Sequence, residues 1–160
     1  MFTLPCGIGA TKPAGGGGGG STTFQYWRIV VTANDGDGSF VSLAELQFYE
    51  SADGTGTNLA LAGTASQTGN GAVGPASRSN DDNDNSECGS SLPLPYTLTN
   101  NLGATYTLGS VGIISQRSVT GRTPTTFDIE GSADGSAWSP VASVSGSTGW
   151  GIKERRVFAL

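Results

Sequence analysis

Apolar and polar residues alternate along several separate stretches of this chain, and a period of two places successive side chains on opposite faces of a strand. The clearest case is 127–130, where Phe127 and Ile129 alternate with Asp128 and Glu130. That stretch predicts a strand with one buried and one wet face. Ser132, Ala133, Asp134 and Gly135 follow with turn chemistry. Asp can accept a hydrogen bond from the backbone two residues on, and Gly takes a positive φ without steric cost. Trp138 is then expected to return a large apolar body to the core.

The same reading extends in both directions. Residues 26–31 are aromatic and β-branched, with Trp27, Ile29 and Val31 on one face, and predict a strand. Alternation resumes from Leu46 to Tyr49. Further strands are expected at 96–98, 105–108 and 110–115, and a closing one at 154–160. Residues 33–39 read as a loop; their Asn, Asp and Gly content is like the start of a calcium loop, but no Glu follows at EF-hand spacing, so a plain turn is expected. From 51 to 91 the chain is mostly turn-forming. Ser51-Ala52-Asp53-Gly54 repeats the letters of the 132–135 turn, as reuse of a good turn and not as an internal repeat.

Composition agrees with an all-β chain. Of 160 residues 26 are Gly, and charged residues make up 13%. Long runs of helix formers are missing. The first 22 residues differ from the rest: Pro5 and Pro13 interrupt them, and Gly15 to Gly20 is unbroken glycine. Six glycines in a flexible chain span roughly 13 Å. The expected organisation is an extended arm and tether over 1–22 and one β domain over 23–160. Phe2, Leu4 and Ile8 favour an arm that docks on a neighbouring subunit, since burial stabilises each large apolar side chain by about 1.5–3 kcal/mol. A solvated tail is the alternative.

Charge and chemistry narrow the function. A net charge of -5 with eight Lys and Arg argues against nucleic acid and against anionic membranes, both of which need a clustered basic face. No apolar window reaches the roughly 18–20 residues of a membrane helix, and no basic segment followed by an apolar run opens the chain. Synthesis in a cytoplasm is therefore expected. Cys6 and Cys88 lie far apart and are expected as free thiols, with a disulfide as the alternative. The chain has no His, the commonest general base and transition-metal ligand. Serine-hydrolase elbow, phosphate loop and zinc-spaced cysteines are also missing. Lys12 precedes the polyglycine run, whereas a phosphate loop needs its Lys after it. No catalysis is expected.

The arrangement F-x-I-x-G-S-x-D-G-S-x-W over 127–138 resembles the central hairpin of discoidin domains, also called coagulation factor 5/8 type C or galactose-binding-like domains. Tyr26-Trp27-Arg28-Ile29 together with Ala44-Glu45-Leu46 resembles the opening of such modules in bacteriophage tail and fibre proteins. Leu102-Gly103 with Tyr106, Leu108, Val111 and Ile113 is similar to the segment that crosses the sandwich. The resemblance implies an antiparallel β-sandwich of about eight strands, jelly-roll in character, with helix limited to a turn or two. It also implies that the acidic loop at 80–87 could hold a structural calcium, with Asp81, Asp82 and Asp84 matching the acidic part of the family's pattern; a plain solvated acidic loop is the alternative reading. The family's Trp position is Cys88 here.

In that fold ligands meet the loops at one end of the sandwich. Arg117, Arg122 and Trp150 fall in loops where such a site could be built. The bland alternative has the arginines pairing with Asp128 or Glu130 and Trp150 in the core. Two functions are expected from these features: a structural part of a tailed bacteriophage virion (decoration, tail-tip or fibre), or a free-standing carbohydrate-binding module. The first carries the arm as its anchor to capsid or tail subunits, in a homo-oligomer or larger symmetric array. Host surface glycan is a partner under either.

Overall fold

The structure, a computed structural model, describes residues 22–160. Phe2, Leu4, Cys6 and Ile8, with the rest of the expected arm, lie outside the described residues. The described chain is all-β, with antiparallel strand pairing throughout and two single-turn 3₁₀ helices, Leu59–Ala62 and Ala76–Ser79. Ten strands are formed among the described residues: β1 (Thr23–Asn34), β2 (Phe40–Leu43), β3 (Glu45–Tyr49), β4 (Thr64–Gln67), β5 (Cys88–Ser91), β6 (Tyr96–Thr107), β7 (Ser110–Ile114), β8 (Pro124–Ser132), β9 (Ser139–Val144) and β10 (Arg155–Ala159). They make a five-stranded sheet in the order β4-β6-β1-β8-β9, a three-stranded sheet β10-β7-β3 and a two-stranded sheet β2-β5.

The alternation in β1 is what places it at the centre of the larger sheet. Trp27, Ile29 and Val31 are fully buried, while Tyr26, Arg28 and Val30 on the other face are half-buried. Cross-strand register lines up apolar rows: Leu98, Ile29, Ile129 and Ala142 form one, and Tyr96, Val31, Phe127 and Val144 the next. On the three-stranded sheet Phe48, Val111 and Phe158 form a corresponding row. All of these residues belong to one continuous core. Cross-strand pairs of this kind are the unit of sheet stabilisation.

Four sequence expectations are corrected. The stretches at 96–98 and 105–108 are the two ends of the continuous strand β6, with Leu102 and Gly103 inside it. Short strands β4 and β5 form within the stretch that reads as turns. β3 does not alternate between core and water, because Glu45, Gln47 and Tyr49 are buried as well as Leu46 and Phe48. Arg155 covers that second face: its Nε donates to Gln47 Oε1 at 2.8 Å and its guanidinium lies 5.2 Å over the Tyr49 ring.

The fourth correction concerns Trp138, which is half-buried and outside the core. The Arg28 guanidinium stacks on its ring at 4.0 Å and pairs with Glu130 at 2.6 Å. Trp138 therefore sits with the residues of the sheet face turned away from the core. The turn before it forms as its residues predict. Asp134 Oδ1 accepts from the Ser136 and Ala137 N–H groups at 2.8 and 3.0 Å, and Gly135 has φ +77.

Candidate functional site

Residues 80–87 form a loop pinned at its start by Asn80, whose side-chain amide donates to the carbonyls of Ala60 and Gly63 at 2.9 and 3.1 Å. Inside it, Asp81 Oδ1 accepts from the Asn83 N–H at 3.1 Å and from the Ser86 hydroxyl at 3.0 Å. The first is the short side-chain to backbone bond that Asp and Asn favour in turns; the second ties the two side chains across the loop. The loop closes one side of an open pocket of ≈ 390 Å³ whose walls are Asp81, Asn83, Asn85, Ser86 and Glu87, with Arg78 and Arg117 completing it.

The structure thus brings Arg117 and Asp81, read from sequence as separate candidates, into one pocket. Arg117 is half-exposed, and its Nε lies 3.4 Å from Glu87 Oε1. Glu87 Oε2 is buried and accepts no hydrogen bond among the described residues. Arg78 adds a second guanidinium, one with no ion pair or hydrogen bond from its head group among the described residues. It was missed because it stands in a turn-rich stretch that carries no periodic signal.

The acidic trio separates. Asp84 Oδ1 accepts from Lys153 Nζ at 3.1 Å, and Asp82 sits at φ +56 on the exposed rim of the loop. Among the described residues no three acidic, His or Cys side chains converge as a metal-binding group. A hard cation wants six to eight oxygens, and Asp81, Asp82 and Asp84 do not fit it as a set. Beneath the loop lies a carboxylate that sequence reading did not single out. Glu45, 1% exposed, accepts from the Asn83 N–H at 3.1 Å through Oε1, while Oε2 has no partner among the described residues. Burial pushes its pKa up to about 8 against the pull of the Asn83 N–H, and the neighbouring Asp81 and Asp82 carboxylates push the same way.

Arg122 and Trp150 belong elsewhere, around the 34–38 turn. Arg122 pairs with Asp37 at 3.0 Å and lies 4.6 Å over the Phe40 ring. Burial works to raise the Asp37 carboxyl, but the Ser39 N–H, the Arg122 guanidinium and the Phe40 N–H outweigh it and hold the carboxyl below the usual range. Trp150 is 3% exposed, donates from Nε1 to the Pro124 carbonyl at 3.1 Å and carries Arg156 stacked at 4.2 Å. Its ring is core and offers no face to a ligand. Neither Arg117 nor Arg122 pairs with Asp128 or Glu130; those carboxylates bind Ser143 and Arg28.

Cys88 is a free thiol in the core, with burial pushing its pKa up to about 12. Its volume is backed by Tyr96, whose hydroxyl lies 3.8 Å from the sulfur. No helix among the described residues is long and apolar enough to cross a membrane. No protein-family model, no curated protein and no solved structure matches this chain, so the resemblance to discoidin domains rests on the motif residues themselves.

Proposed function

We propose that this chain is a binding and display module without catalytic activity: a discoidin-type β-sandwich of jelly-roll character, carried on a tailed bacteriophage particle. Residues 1–22 fasten it to capsid or tail subunits, and the loop pocket beside Arg117 meets host surface glycan. The observation that carries the binding half is that pocket. It presents two guanidinia, amide side chains and carboxylates, with almost no apolar wall, a set suited to orienting hydroxyl groups and not to enclosing an apolar ligand. The sandwich reading draws support from the single core shared by the five-stranded and three-stranded sheets. The virion reading draws on the residues at 26–29 and 44–46 and on the apolar arm with its glycine tether. Repetition in a symmetric array would give weak single sites useful avidity.

The test uses the full chain, a chain starting at Ser21 and Arg117→Ala on a glycan array, in calcium and in chelator, together with incorporation of each into particles. Truncation is expected to abolish incorporation and leave the glycan signal intact. Arg117→Ala should reduce that signal about tenfold, as loss of a charge-assisted hydrogen bond does. The signal is expected to be equal in calcium and chelator, because Asp81, Asp82 and Asp84 are not gathered. Normal incorporation of the truncated chain would remove the docking arm from this account. A free-standing carbohydrate-binding module would then be the surviving reading.

A further inference from the structure

The five-stranded sheet has a face turned away from the core, and register fixes which residues share it. Thr64 of β4 stands opposite Asn101 of β6, which stands opposite Tyr26 of β1; two residues along, Ser66, Thr99 and Arg28 form the next row. Residues directly opposite in a ladder point to the same side. The two rows therefore make a platform three strands wide and two rows long, roughly 10 Å by 7 Å from the strand spacing and rise. The turn between β8 and β9 stands at its edge. Tyr26, Thr64, Ser66, Thr99, Asn101 and Asp134 line a cleft of ≈ 410 Å³ there, closed on one side by Gly135.

The cleft is built and held in place. At Gly135 (φ +77) an added Cβ would come within 3.2 Å of the Tyr26 ring, so turn backbone lies against that ring and fixes its orientation. Asp134 is held through Oδ1 by two backbone N–H groups, and the Ala137 and Ser136 N–H groups keep its carboxyl below the usual range. Asn101 Oδ1 accepts from Gln25 Nε2 and from the Gly103 N–H at 3.0 and 2.9 Å, which orients its NH₂ group. The polar atoms left over make no hydrogen bond with any described residue: the hydroxyls of Tyr26, Thr64, Ser66 and Thr99, Asn101 Nδ2 and Asp134 Oδ2.

We infer that this sheet face is a second ligand site, distinct from the loop pocket, and that its ligand is a neutral oligosaccharide of about two sugar rings. An aromatic ring offers an apolar face to the C–H side of a sugar. Four hydroxyls, an amide donor and a carboxylate acceptor match a ligand that both donates and accepts at many closely spaced points. None of the cleft's lining residues is a cation, Arg28 in the next row is held by Glu130 at 2.6 Å, and Asp134 adds negative charge to a chain already at -5, which selects against sialylated or sulfated glycans. The inference does not rest on the loop pocket and can fail without it.

The experiment is a titration of the isotope-labelled full chain, followed by backbone amide NMR, with lactose, cellobiose, maltose and diacetylchitobiose, and with sialyllactose as the charged comparison. At least one neutral sugar is expected to move the amides of Tyr26, Ser66, Thr99 and Asn101 at millimolar concentration. Asn101→Ala should weaken that binding at least about tenfold. Ser66→Gln, at an exposed edge position, should fill the cleft and block it while leaving the rest of the spectrum unchanged. The site is refuted if none of the four sugars moves these amides, if sialyllactose binds more tightly than lactose, or if Ser66→Gln binds normally.

Discussion

Glu45 is the residue whose environment most contradicts its chemistry: a carboxyl 1% exposed, with Asp81 and Asp82 among its neighbours. Folding raises its proton affinity from the ordinary 4.5 to about 8. The stability it contributes is thus complete below about pH 4.5 and is lost as pH rises to about 8, because in that window the unfolded carboxyl ionises in water while the buried one keeps its proton. Thermal midpoints measured in chelator across that window should fall for the parent chain and stay flatter for Glu45→Gln. Parallel curves would mean that Glu45 keeps its charge throughout. Nothing local in Ala44-Glu45-Leu46 announced this, since the sequence there reads as a strand edge. The loop that covers Glu45 comes from residues nearly forty positions later.

Among the elements, the hairpin of β8 and β9 was the most legible in sequence. Its alternation and turn residues are both local, and the turn forms with the bonds expected of Asp134. The fate of Trp138 was not legible, because which face a residue just past a turn joins depends on what the opposite strand presents. Here β1 presents Arg28, which takes the ring as a stacking partner. The same pairing explains Gly131. It stands opposite Trp27, and a Cβ there would meet the Phe24 ring at 2.0 Å, so the ring lies directly across the glycine backbone. Phe24 in turn makes an edge contact with Trp27 at 5.3 Å. Gly131→Ala should therefore cost about 1–3 kcal/mol as overpacking, read as a shift in urea midpoint at unchanged slope. A variant as stable as the parent would show that Phe24 can swing aside without loss.

At the scale of the whole molecule, the continuous core draws its described members from Phe24 onward. A chain starting at Ser21 should keep the melting temperature of the full chain to within about 2 °C; a larger drop would mean that the first 20 residues pack on the domain they precede. Sequence by itself determined the all-β class, the face that β1, β7 and β8 turn to the core, and the main hairpin. Each depends on periods of two or on residue chemistry, which act over a few positions. Tertiary structure alone decided the continuity of β6, the burial of both faces of β3, the pairing of Asp84 with Lys153, and the grouping of Arg78 with Arg117. It also set Tyr26, Asn101 and Thr64 side by side across three strands. Those facts depend on register and loop placement, which join residues tens of positions apart and which no local pattern encodes.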